Sequence, residues 1–63
     1  MKEALNAAES KLRAHRGSEV SRLAASVLTA RIEVLRDQLE RGEAEGVRGQ
    51  LRECRYFMKL LTE

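Results

Sequence analysis

The chain has 63 residues, of which 43% are hydrophobic and 35% are charged, and it contains no proline and no tryptophan. A chain of this length buries only about 60% of its unfolded surface, so a core built from one copy alone is marginally stable. The length also excludes nucleotide-binding sheets and barrels. It allows one helical domain over residues 1–63, completed by further copies of itself or by a partner.

The charges of the chain nearly balance. Lys and Arg number 12 and Asp and Glu number 10, which gives a formal net charge of +2. The surplus lies in residues 1–17, whereas residues 18–41 and 42–63 each contain four charges of either sign. Nucleic-acid binders of this size usually have a larger basic excess, because contacts to phosphates supply their affinity. Nucleic acid is therefore the less favoured partner.

Cysteine usage and hydropathy indicate the compartment. Cys54 is the only cysteine, so no internal disulfide can form, and small secreted domains usually depend on disulfides. Glu3 and Glu9 lie where a signal peptide needs an apolar stretch, and no segment approaches the roughly 20 apolar residues of a membrane span. We expect a cytoplasmic protein without a membrane anchor.

Residues 1–16 predict an N-terminal helix, because they are rich in strong helix formers. Its thin apolar side consists of Leu5, Ala8 and Leu12. Gly17 and Ser18 then indicate a helix end and a new start, since glycine suits a left-handed closing residue and serine is a good N-cap. The alternative is one unbroken helix that continues to residue 41. The break is favoured, because it repairs a one-residue slip in the apolar pattern.

Residues 18–41 predict the longest helix, with apolar side chains at the helical spacings of three and four. One set forms a seam: Leu28, Ile32, Leu35 and Leu39. A second set lies beside it: Val20, Leu23, Val27, Ala30 and Val34. Two adjacent sets make a face that is too wide for one neighbouring helix to cover. On the polar flank we expect three ion pairs: Glu33–Arg36, Arg36–Glu40 and Asp37–Arg41.

The last helix is predicted over residues 47–61. Gly42 is placed to end the preceding helix, and Glu43–Gly46 to connect the two. The seam of the last helix is Val47, Leu51, Cys54, Met58 and Leu61. Because the connection is short, we expect residues 18–61 to form an antiparallel helical hairpin. The predicted fold is all-α, with coiled-coil-like seams that assemble into an oligomeric helical bundle.

Two further features of the last helix have more than one interpretation. Gly46 and Gly49 share one side of it and are expected to permit a close approach by another segment. Basic residues follow another side, named here the basic stripe: Arg48, Arg52, Arg55 and Lys59. The stripe could bind nucleic-acid phosphates or an acidic protein surface, or it could pair with acids of the preceding helix. The favoured interpretation is that the stripe either is solvated or pairs with Glu33, Asp37 and Glu40.

No motif identifies a chemistry. Zinc sites need about three or four protein ligands, and His15 and Cys54 are each the only residue of their type. A Cys–His nucleophilic pair would also lack a third, orienting group. We therefore predict no catalytic, metal-binding or cofactor-binding residues and no enzymatic activity.

The second half of the chain resembles a known kind of small helical hairpin. It contains three characteristic segments: Arg31-Ile32-Glu33-Val34-Leu35-Arg36-Asp37-Gln38-Leu39, Arg48-Gly49-Gln50-Leu51-Arg52-Glu53-Cys54 and Leu60-Leu61. These resemble the short helical-hairpin proteins encoded among tailed-phage and prophage genes. The resemblance implies a small assembly-associated or accessory protein of the host cytoplasm or the virion, and it implies no site residues.

These observations favour a non-enzymatic protein that associates with itself. The expected interface is the second apolar set together with a neighbouring aromatic residue: Val20, Leu23, Val27, Ala30, Val34 and Phe57. A dimer of two hairpins, with a four-helix core, is the simplest assembly that covers it. Another protein is also possible as a partner. The alternative function is a small nucleic-acid-binding or regulatory protein that uses the basic stripe.

Overall fold

The computed structural model of the chain describes residues 1–62. This part of the chain folds into three α-helices: α1 (Lys2–Arg13), α2 (Glu19–Glu40) and α3 (Ala44–Thr62). Both α1 and α3 pack along α2, whereas α1 and α3 touch each other over a much shorter stretch. The all-α class predicted from the helix-forming composition is confirmed.

The predicted break between the first two helices is confirmed, but it comes earlier than expected. α1 ends at Arg13, because His15 turns back toward α2 instead of continuing the helix. The His15 Nε2 atom lies 3.0 Å from the Ser21 Oγ atom, within hydrogen-bond distance. The Ser18 hydroxyl accepts a hydrogen bond from the Ser21 amide at 3.1 Å, so Ser18 is the N-cap of α2 as predicted.

Gly17 and Gly42 serve different purposes at the two helix connections. Gly17 was expected to close α1 in a left-handed conformation, and this is wrong. Within residues 1–62 only Gly42 has a positive φ, of 84°, and it ends α2 as predicted. At Gly17 a Cβ atom would lie 2.6 Å from the Ser21 Oγ atom and 3.0 Å from the His15 Nε2 atom. A side chain at position 17 would therefore require the Ser21 hydroxyl and the His15 ring to move away from their present positions.

α3 starts at Ala44, three residues before the predicted start, so the connection is shorter than Glu43–Gly46. The Glu43 carbonyl accepts a hydrogen bond from the Val47 amide at 3.3 Å and thereby begins the helix. Glu45 in the first turn interacts favourably with the positive end of the helix dipole. Gly46 and Gly49 consequently lie inside α3. A Cβ atom on either would meet nothing within 4 Å, so the expected close approach is absent within the described chain.

We predict that Gly46→Ala and Gly49→Ala each raise the free energy of unfolding by about 0.5–1 kcal/mol. The reason is that alanine loses less backbone conformational entropy than glycine when it is ordered in a helix. Urea unfolding followed by circular dichroism measures the change. Gly42→Ala is the matched control and is expected to destabilise, since its φ of 84° strains any L side chain. Loss of stability in both α3 variants would contradict the open space at these positions.

The core lies along the side of α2 that α1 and α3 cover. Its buried side chains are Leu5, Ala8, Leu12, Ala25, Ile32, Leu35, Val47, Leu51 and Cys54. The ends of the predicted seams are partly buried: Leu28, Leu39, Met58 and Leu61. Ala25 was not among the predicted seam residues. Ala25 and Leu12 line one groove between α1 and α2, so Ala25 extends the α2 side of the core toward α1.

Cys54 lies in this core as a free thiol that is 4% exposed, as its position on the α3 seam predicted. Burial raises the pKa of the thiol, and the thiolate is the reactive form. We predict that a disulfide reagent labels native Cys54 more than about tenfold more slowly than the urea-unfolded chain. A Cys54→Ala, Ser10→Cys variant, with its thiol on an exposed position of α1, should react at the unfolded rate. Equally rapid labelling of native Cys54 would contradict its burial.

Ion pairs fasten α1 to α2 in place of two of the pairs predicted within α2. Arg36 was expected to pair with Glu33 and Glu40, but it reaches across to Glu9 and donates to Asn6 Oδ1 at 2.9 Å. Arg13 lies 2.9 Å from Glu9 and 3.2 Å from Glu33. Hydrogen bonds from Arg36 and then Arg13 hold the pKa of Glu9 below its ordinary value. The predicted pair of Asp37 with Arg41 is present at 3.3 Å.

Candidate interaction surfaces

Large hydrophobic side chains of α2 and α3 lie exposed on one side of the molecule. This surface, named here the apolar face, consists of Val20, Leu23, Val27, Phe57 and Leu60, whose exposed fractions are 78%, 68%, 64%, 50% and 52%. The side chains of α2 follow one another at helical spacing, and those of α3 lie alongside the N-terminal half of α2. The face is thus built by two helices rather than by one.

An open apolar groove joins the two helices at the centre of this face. Its volume is about 510 Å³, and it is lined by Ala24, Val27, Leu28, Phe57, Leu60 and Leu61. No charged side chain is among these lining residues. The Phe57 ring also contacts the Tyr56 ring edge-on, with the two centroids 5.8 Å apart. The groove therefore offers almost purely apolar contact to whatever covers it.

The predicted interface residues all lie exposed in the single chain. Val20, Leu23, Val27 and Phe57 belong to the apolar face, while Ala30 and Val34 continue the exposed side of α2 beyond it. α1 packs against a different side of α2 and leaves these residues exposed. Leu60 also belongs to the apolar face. It lies three residues from Phe57, which places both on one side of α3.

The four residues of the basic stripe are exposed along α3: Arg48, Arg52, Arg55 and Lys59. Within residues 1–62, no ion pair joins any of its three arginines to a carboxylate. Of the three acids that were expected to pair with the stripe, two pair with other arginines. Glu33 pairs with Arg13, Asp37 pairs with Arg41, and Glu40 forms no ion pair with a described residue. Of the two forms of the favoured interpretation, pairing across the two helices is absent for the described arginines, while their exposure agrees with a solvated stripe.

His15 and Cys54 occupy unrelated environments. His15 is partly buried at the turn between α1 and α2, where its partner is Ser21, and Cys54 lies in the apolar core. Among the residues that the structure describes, no group of three or more His, Cys, Asp or Glu side chains is placed to hold a metal ion.

Two observations concern the chain as a whole. Over residues 1–62, none of the helices combines the length and the apolar character that crossing a bilayer requires. Comparisons with protein-family models, with curated protein sequences and with solved structures found no significant match to this chain.

Proposed function

We propose that the chain is a non-enzymatic helical assembly protein whose apolar face is the interface between two copies. In this proposal α2 and α3 act as a hairpin, and two hairpins build a four-helix core. The exposure of Val20, Leu23 and Val27, each more than 60% exposed, is the observation that carries it. We also place the protein in the cytoplasm, or in a virion if it is phage-encoded.

The energetic argument compares the apolar face with the small core of one chain. Full burial of a valine, leucine or phenylalanine side chain contributes about 1.5–3 kcal/mol. A face of five such side chains left in water thus forgoes several kcal/mol, while a whole native domain holds only about 5–15 kcal/mol. Monomeric proteins rarely expose a contiguous apolar patch beyond a few hundred Å². Covering the face would therefore add a large share of the stability of this chain.

A second copy is the occupant that the surface supports best. In a symmetric dimer the same patch lies on both chains, so one apolar face covers the other and no other partner is needed. The lining of the central groove is free of charge, which suits an equally uncharged surface. The resemblance of the second half of the chain to phage-encoded hairpin proteins also supports a role in assembly.

The solution mass tests this proposal. Light scattering coupled to size-exclusion chromatography at micromolar concentration should give twice the 7.1 kDa mass of the chain. Dilution should lower the mass and the helical circular dichroism together, because the dimer interface stabilises the fold. A single chain mass with undiminished helicity across the concentration range would overturn the proposal.

Nucleic-acid binding is the second candidate, favoured by the unpaired arginines of the basic stripe. The near-neutral total charge weighs against it, as does the separation of the aromatic pair from most of the stripe. We predict no tight binding of duplex or single-stranded DNA at about 150 mM salt in a fluorescence anisotropy titration. Tight binding that Arg52→Glu and Arg55→Glu together abolish would make nucleic acid the main ligand.

A further inference from the structure

A second groove lies between the C-terminal parts of α1 and α3, and it shares Leu61 with the apolar groove beside Phe57. Its volume is about 260 Å³, and it is lined by Lys11, Leu12, His15, Arg55, Met58, Lys59 and Leu61. α1 thus extends the basic stripe sideways with two further nitrogen-bearing side chains. This juxtaposition cannot be read from α3 alone.

The groove combines an apolar floor with cationic rims. Leu12 is buried, and Met58 and Leu61 are partly buried, so these three form the floor. Lys11 and Arg55 are exposed and stand on opposite walls, one on α1 and one on α3. No carboxylate is among the described lining residues. The site would therefore favour a ligand with both an apolar and an acidic part.

Lys11 and Arg55 are the rim charges that such a ligand would contact. Neither Lys11 nor Arg55 forms an ion pair with an acid of the described residues, whereas the neighbouring Arg13 is held by Glu9 and Glu33. Pairing with Lys11 and Arg55 would consequently break no existing interaction of the fold. Because both lie beside apolar surface, a carboxylate placed there would be less screened than one at a fully hydrated surface.

We propose that this groove binds an acidic segment of another protein, one in which an apolar side chain is flanked by carboxylates. The apolar side chain would contact Leu12, Met58 and Leu61, and the carboxylates would contact Lys11 and Arg55. The volume is below the about 300–1,000 Å³ of small-molecule sites, which suits a side chain rather than a cofactor. A nucleic-acid strand fits less well, because no Phe, Tyr or Trp ring lines the groove for base stacking.

The probe for the test is a fluorescein-labelled, glutamate-rich peptide with leucine at every fourth position. Its companion has each leucine replaced by glutamine. Fluorescence anisotropy at about 150 mM salt should show tighter binding of the leucine peptide, since only it fills the apolar floor. The Lys11→Glu, Arg55→Glu double variant should bind it at least about tenfold more weakly. Lys11→Gln with Arg55→Gln should give a smaller loss and guards against an effect of misfolding.

Arg48→Glu is the matched control, because it makes the same change on the same side of α3. Arg48 lies about 10 Å along the helix from Arg55, beyond the Debye length of about 8 Å at this salt concentration. The Kd of the leucine peptide for the Arg48→Glu variant should differ by less than about twofold from its Kd for the unmodified chain.

Three results would overturn the proposal: equal binding of both peptides, equal losses in Arg48→Glu and the double variant, or tighter binding of duplex DNA. A fall in solution mass of the double variant would assign the groove to a second copy instead. The mass of the unmodified chain tests the apolar face separately.

Discussion

Leu23→Glu and Val27→Glu are each expected to convert the proposed dimer into monomers at micromolar concentration. Both side chains lie in the apolar face, 68% and 64% exposed in the single chain, so glutamate there meets no clash within one copy. In the proposed dimer each substitution occurs once on either chain, and at both places it removes an apolar contact and buries a charge. A loss of about 2 kcal/mol at each of the two places raises the dimer Kd by roughly a thousandfold. Light scattering at matched concentrations measures the shift.

Ser26→Glu is the control for these two variants. It adds the same charge to an exposed position of the same helix, but on the side of α2 that lies toward Arg13 and Glu33. The mass of this variant should equal that of the unmodified chain. The dimer hypothesis would fail if the two interface variants kept the doubled mass, or if the unmodified chain were already a stable species of 7.1 kDa.

Leu35→Ala is expected to remove most of the stability of the fold. Leu35 is fully buried and lies midway along the α2 seam. Truncation of a buried leucine to alanine costs about 2–5 kcal/mol, through lost burial and the cavity that remains. A 63-residue chain lies at the low end of the about 5–15 kcal/mol range of native domains. Urea unfolding should show a midpoint close to zero, whereas Leu35→Met, which conserves volume, should cost less than about 1.5 kcal/mol.

The helices could be predicted because local chemistry specifies them. The apolar spacing of Ile32 and Leu35, the cap at Ser18 and the left-handed Gly42 are all local signals, and the structure agrees with each. The end of α1 was misplaced, because it depends on a contact between His15 and Ser21 across the turn. The start of α3 was misplaced because Gly46 was assigned to the connection between the helices. Gly46 and Gly49 instead lie inside α3, with open space where a Cβ atom would be.

The surfaces were harder to predict than the helices, because they depend on which helix lies where. Sequence spacing identified the exposed stripe of α2 and the basic stripe of α3, since each belongs to one helix. It gave the wrong partner for Arg36, which pairs with Glu9 of α1. It also omitted Lys11 from the cationic residues beside Arg55, because only the packing of α1 on the other two helices brings them to one groove.

The ion pairs between α1 and α2 have a consequence for the motions of the molecule. α1 buries only Leu5, Ala8 and Leu12, and Arg13 and Arg36 supply much of its remaining attachment to α2. Ions of the solvent screen such partly exposed pairs, so α1 is held less firmly as salt concentration rises. Amide hydrogens of α1 are therefore expected to exchange faster with solvent as the ionic strength rises, whereas those of α3, which no ion pair joins to α2 within the described residues, should change less.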